Sequence, residues 1–198
     1  MIQKYPYIFG DKVFSHVFCD EIINTFKKKK QEAAITGLGL KKEFRDSDVS
    51  LHDEAHFVYK QVNPLIAKMN KQLGWNVQID YPETFQFTKY GLNQHYHWHH
   101  DTHSEPYSGT HKDILLRNKT RKISISICLS DPEEYEGGEF MLDLRNTNAE
   151  KPTYISHPCM KNKGSVVVFL SHLWHTVKPV TSGTRYSSVL WYVGNPYV

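Results

Sequence analysis

Cysteine is scarce in this chain of 198 residues. Cys19, Cys128 and Cys159 are three in number, odd and widely spaced, which excludes a disulfide framework and a thiolate zinc site. Long apolar runs are also missing. The N-terminal MIQKYPYIFGDKVFSH contains no apolar signal core, and no segment approaches a transmembrane span. A soluble, intracellular and cytoplasmic protein with no membrane partner is therefore expected. Charge of one sign is lacking too. The net charge is +3 with histidines neutral, and Lys27 to Lys30 is the sole basic run, so nucleic acid is not expected as a partner. Repeats and low-complexity linkers do not occur, and the length predicts a single unit able to bury its own core.

Aromatic residues and histidine are plentiful. The aromatic share is 13%, with 12 Tyr and 4 Trp, a composition that favours strands or an aromatic-lined pocket. Of the 12 histidines, His95, His97, His99, His100, His103 and His111 crowd into 17 positions.

Helical periodicity marks the first third of the chain. Ser15 to about Lys30 opens with a Ser cap and predicts Val17, Phe18, Ile22, Ile23 and Phe26 on one stripe. Asp53 to about Leu73 predicts a second helix through Phe57, Val58, Val62, Ile66 and Met69, kinked or divided at Pro64. Between them, Thr36 to Ser50 reads as an irregular connection. After Gly74 the pattern turns to short strands: Thr84–Tyr90, Gln94–Trp98, Lys122–Leu129, Glu139–Leu142, Ser165–Leu170, Thr176–Val180 and Tyr186–Val193. The expectation is an α+β fold in which residues 1–80 form a helical support within the same unit and residues 81–198 form an antiparallel sandwich or barrel. Thr102–Thr120 is a polar stretch too long for a hairpin loop, and loops of that length are more often functional or mobile than structural filler.

Alternate residues of a strand share a face, so His99 and Asp101 can reach one metal ion while His100 points away. A distant histidine completes a set of two imidazoles and one carboxylate, the ligand type that holds non-haem Fe(II) with open positions for oxygen. His175 is the better third ligand and His172 the alternative. Arg185 follows ten residues after His175. A 2-oxo acid chelating such an iron has a remote carboxylate that needs a buried partner, and a guanidinium fork suits it better than lysine. Other readings of these residues are a cupin-type site built from Gly91, His97, His99, Glu105 and Gly109, a zinc hydrolase using His97, His99 and His175, and a non-catalytic binding barrel.

Three segments in order, KYGLNQHYHWHHD ending at Asp101, RKISISICLSDPEEYEGGEF from Arg121 to Phe140, and GSVVVFLSHLWHTVKPVTSGTRYSSVLWY from Gly164 to Tyr192, resemble the 2-oxoglutarate- and Fe(II)-dependent dioxygenases of the prolyl 4-hydroxylase-like branch. The resemblance spans about Thr84 to Tyr192. It implies a double-stranded β-helix (jelly-roll) core, His99, Asp101 and His175 as iron ligands, and Arg185 on the far carboxylate of 2-oxoglutarate. Tyr90 and Tyr96 resemble pocket tyrosines, Trp191 an aromatic wall and Arg121 a basic residue at the pocket mouth, the last two facing substrate together with Tyr96. Where some relatives place a tyrosine beside the co-substrate arginine, this chain offers Cys128, with Ser124 and Ser126 nearby. The implied cofactors are Fe(II), 2-oxoglutarate and O2, with ascorbate as a candidate reductant. The implied reaction is hydroxylation of a C–H bond, foremost of a prolyl residue in a peptide or protein, yielding succinate and CO2; a small-molecule substrate is the other reading. Tyr107, His111, Leu115 and Leu116 of the long loop are candidates to clamp a peptide.

Overall fold

A computed structural model describes residues 5–34, 41–145 and 153–197. Its larger sheet has eight strands. Seven run in the order Tyr7–Gly10, Val166–Leu170, Thr120–Cys128, Arg185–Gly194, Phe85–Tyr90, Asp48–His52 and Glu32–Ala33, and Tyr81–Pro82 also pairs with Arg185–Gly194. A second sheet orders Tyr154–Ile155, Phe140–Asp143, Trp174–Val177, His95–His99 and Arg45–Asp46. A small ribbon joins Val180–Gly183 to Tyr135–Gly137. The pairing is antiparallel throughout. This is the double-stranded β-helix arrangement.

Alternation along the strands assigns the two faces of the larger sheet. In Thr120–Cys128, Ile123, Ile125 and Ile127 join a core with helix α1 (His16–Phe26) and helix α2 (His56–Gln72). The residues between them, Ser124, Ser126 and Cys128, face the second sheet. Val166 and Val168 likewise turn to the helices, while Val167 and Phe169 meet Phe140, Leu142 and Val177 in a core between the sheets.

Helix α1 begins where Ser15 Oγ accepts a hydrogen bond from the Phe18 amide at 3.2 Å, and it buries Phe18, Ile22 and Phe26 at four-residue spacing. Two expectations for it are corrected. Val17 lies off that stripe and is 77% exposed, and the helix ends at Phe26, before the four lysines. Helix α2 continues through Pro64 without division. Pro64 and Lys60, whose carbonyl loses its donor to the proline, are both exposed, so water can replace the missing bond.

Residues 1–80 supply more than helices, because Tyr7–Gly10 and Asp48–His52 are strands of the larger sheet. The connection predicted as irregular over Thr36–Ser50 contains Arg45–Asp46 and part of Asp48–His52; positions 36–40 lie outside the described residues. The strand predicted at Thr176–Val180 is instead two, Trp174–Val177 and Val180–Gly183, separated at Pro179, which has no amide to donate. Among the described residues, no helix is long and apolar enough to cross a membrane.

Candidate active site

Neighbouring strands of the second sheet place His175 opposite His99 in register. Asp101 lies two residues beyond the strand end, tied down by its amide donating to the Ser171 carbonyl at 2.9 Å. The ligand atoms of His99, Asp101 and His175 all lie within 4.8 Å of one another, the one such cluster among the described residues. Each imidazole is oriented from behind. His99 Nδ1 contacts the His97 carbonyl at 2.7 Å and His175 Nδ1 the Leu173 carbonyl at 3.0 Å. A carbonyl only accepts, so both Nδ1 atoms carry a proton and Nε2 is the ring atom left to ligate. These Nε2 atoms stand 3.9 and 3.6 Å from the two oxygens of Asp101.

Burial, aided by His175, holds the His99 pKa well below its ordinary value. For Asp101, burial opposes ionisation, but His175, His99, Arg121 and the Ser124 hydrogen bond outweigh it and draw the carboxyl down to about 2. Two imidazoles and one ionised carboxylate form a donor set suited to a divalent iron. His97, His100 and His172 are exposed and lie outside this cluster. The zinc set with His97 is therefore not assembled.

A cavity of about 430 Å³ opens over the cluster. Tyr90, Tyr96, Arg121, Ser126 and Trp191 line it with His99, Asp101 and His175. Ser124, anticipated as a co-substrate contact, is corrected: its hydroxyl donates to Asp101 Oδ2 at 2.7 Å and meets Ser171 Oγ at 2.9 Å. Tyr96 stacks on the His99 ring at 3.5 Å between centroids, and the Arg45 guanidinium lies 4.3 Å from the Tyr96 ring centroid.

Arg185 opens its strand opposite Tyr90 and is 1% exposed. None of its three guanidinium nitrogens has a hydrogen-bond partner. An unpaired buried charge is costly, so this cation fits an anionic ligand that completes it, such as the far carboxylate of a 2-oxo diacid.

Arg121 is differently placed. Its Nε and one terminal nitrogen each donate to Glu83 at 2.8 Å, and its guanidinium lies 3.9 Å over the Trp191 ring. The Tyr107 hydroxyl contacts both Glu83 oxygens at 3.1 Å. This fastens residues 102–120 beside the cavity, where Tyr107, His111 and Leu116 line the wall. Leu115 is 56% exposed and outside that lining. Sequence reading missed Glu83, Ser171 and Arg45. Each meets a partner far away in the chain, and no local motif signals such a pairing.

Similarity to known proteins agrees with this geometry. Residues 85–193 match the model of the 2OG-Fe(II) oxygenase superfamily. A PKHD-type hydroxylase of Xylella fastidiosa is 33% identical over 108 residues, 54% of this chain and 42% of the relative. One from Janthinobacterium is 32% identical over 105 residues, 53% and 41% of the two chains. The chain thus spans less than half the length of these relatives. Among solved structures, a Pseudomonas putida prolyl-4-hydroxylase superposes with a TM-score of 0.73 at 14% identity, covering 95% of this chain and 92% of the other. A viral collagen prolyl hydroxylase from Paramecium Bursaria Chlorella virus-1, in a 2OG complex, gives 0.67 at 22%, covering 96% and 97%. A Trichoplax adhaerens prolyl hydroxylase holding a hypoxia-inducible-factor peptide gives 0.70 at 16%, covering 94% and 83%. These likenesses show the fold. The family model, matching just over half of the sequence, settles the lineage, and the chain belongs to the 2OG-Fe(II) oxygenase superfamily, whose chemistry uses Fe(II), 2-oxoglutarate and O2.

Proposed function

We propose that the chain is a hydroxylase that acts on a prolyl residue of a peptide or protein. The observation that carries this reading is the pairing of a His99–Asp101–His175 cluster with the buried, unpartnered guanidinium of Arg185. Bound Fe(II), with 2-oxoglutarate and O2, supplies the oxidising power: one oxygen atom enters a substrate C–H bond while the co-substrate leaves as succinate and CO2. In this reading His99, Asp101 and His175 hold the iron, with their free faces turned into the cavity. Arg185 takes the far carboxylate by a charge-assisted fork, and Tyr90 and Ser126 line the co-substrate side. Tyr96, Trp191 and the Glu83-anchored Arg121 shape the substrate side. The wall of residues 102–120 limits water at the reacting carbon.

The prolyl assignment is supported by the prolyl hydroxylases that share the fold and by the peptide held in one of them. The three described cysteines are free, which suits a reducing, cytoplasmic setting. An anaerobic titration with Fe(II) and 2-oxoglutarate should give a weak visible charge-transfer band in wild type and none in His99→Ala. Proline-containing peptides should then gain one oxygen atom per succinate formed. Succinate formation coupled only to a small molecule would refute the peptide assignment, and failure to bind 2-oxoglutarate would refute the whole reading.

A further inference from the structure

The floor of the cavity runs well past the metal cluster. Across four neighbouring strands of the larger sheet, Leu51 stands opposite Gln86, Gln86 opposite Val189 and Val189 opposite Ser126. All four line the one cavity. Ser126 belongs to the strand whose Ser124 holds Asp101, so the row leads from the metal cluster to the sheet edge. Its three inter-strand steps cover about 14 Å. The row changes character on the way. Gln86 Nε2 donates to Thr88 Oγ1 at 2.9 Å, and its Oε1, without a partner among the described residues, can accept a main-chain N–H. Beyond it the lining is apolar: Leu51 is 61% exposed, and Leu116 of the long loop lines the same cavity. The edge strand Glu32–Ala33 pairs only with Val49 and Asp48. Among the described residues, therefore, no strand lies beyond Leu51, and the far end of the row is open.

We propose that this row seats an extended polypeptide substrate, and that Leu51, with Leu116, takes an apolar side chain about four residues from the hydroxylated proline. This rests on the prolyl-peptide reading given under Proposed function. The spacing follows from the geometry, since an extended chain advances about 3.3 Å per residue. A single exposed leucine is ordinary on a protein surface. This one differs because it lines the cavity of the metal cluster and ends a continuous row. A chain longer than the cavity can leave through the open end, which a small-molecule substrate would not need.

The test is peptide binding to the Mn(II)- and 2-oxoglutarate-loaded protein, read by fluorescence anisotropy without oxygen. Each labelled peptide carries one proline in a host of glycine, serine and asparagine, and a single leucine is walked from one to six residues away on either side. Affinity should peak roughly tenfold above the leucine-free host with leucine about four residues from the proline on one side. That is the lower end of what burying a leucine side chain contributes, because this end of the groove stays open. In Leu51→Glu the peak should vanish, and lysine at the same position should bind better than leucine, a gain that a misfolded variant would not show. A flat series, a peak within two residues of the proline, or a leucine peak that survives Leu51→Glu overturns the subsite. Light scattering that shows a dimer dissociated by Leu51→Glu gives the face to a second copy and likewise overturns it. The Fe(II)-loaded protein in air separates this from the reading beneath. Oxygen gained at proline with a flat leucine series defeats the subsite alone, whereas no oxygen gained by any peptide defeats the prolyl reading.

Discussion

Removing one hydroxyl tests how the metal ligands are held. Ser124→Ala deletes the 2.7 Å hydrogen bond to Asp101 Oδ2 at a fully buried position. A hydrogen bond to a charged group contributes about 1.5–3 kcal/mol. At about 1.4 kcal/mol per tenfold, metal affinity should fall roughly 10- to 100-fold, the range typical of groups that orient metal ligands from behind. The backbone clamp from the Asp101 amide to Ser171 remains, so the carboxylate is freed to rotate but stays in place. The assay is anaerobic competition between metal-free protein and a chromophoric chelator for Fe(II) or Co(II), with circular dichroism to confirm the fold. Ser188→Ala serves as the control: its hydroxyl is buried without a partner on the helix-facing row, and its loss should leave metal affinity unchanged. Metal affinity in folded Ser124→Ala within twofold of wild type would refute the orienting role.

Three further outcomes follow from the same structure. Glu83→Ala strands Arg121, whose side chain is only 16% exposed, and should cost about 3–5 kcal/mol; the urea midpoint should drop, and Glu83→Ala/Arg121→Met should recover much of it. His52 is buried against Phe26, with ring centroids 4.2 Å apart, and burial lowers its pKa although Glu54 opposes this. The unfolded chain therefore binds the extra proton below about pH 6.5, the ordinary histidine value. The contribution of His52 to stability is present above that pH and lost as pH falls through the folded-state pKa, so the metal-free protein should melt progressively lower from pH 7 to 5, and His52→Gln should flatten that slope; identical slopes would count against it. Gly138→Ala forces a Cβ into left-handed backbone, at about 1–2 kcal/mol, and crowds Arg185 Cδ. Both the unfolding midpoint and 2-oxoglutarate affinity should fall together.

The grouping of His99, Asp101 and His175 was legible because two ligands sit in one tripeptide and the third follows an unmistakable apolar strand. Arg185 was singled out by its distance from His175, and the structure buries it without a hydrogen-bond partner. Glu83 was not, since its carboxylate meets Arg121 from a part of the chain 38 residues away and only the folded chain brings them together. The strand Tyr7–Gly10 escaped because four residues at a sheet edge carry too little periodicity to read, and Asp48–His52 because charge obscures its alternation. Ser124 was expected as a co-substrate contact, and the structure hydrogen-bonds its hydroxyl to Asp101. Strand alternation says which side a hydroxyl takes, whereas the chain turn at Asp101 decides what waits there.

The alternation ISISIC in the central strand has a consequence for how such a protein can change. Isoleucines at 123, 125 and 127 answer to the helices, while Ser124, Ser126 and Cys128 answer to the chemistry. Each row could vary largely without disturbing the other, so thermostability and the setting of the metal site can drift as separate traits written on one ribbon of backbone. A pairing slip of a single residue would exchange the rows, driving isoleucine into the iron site and serine into the apolar seam. The strand thus tolerates substitution far better than insertion, and a one-residue insertion within it should abolish metal binding and folding in the same stroke.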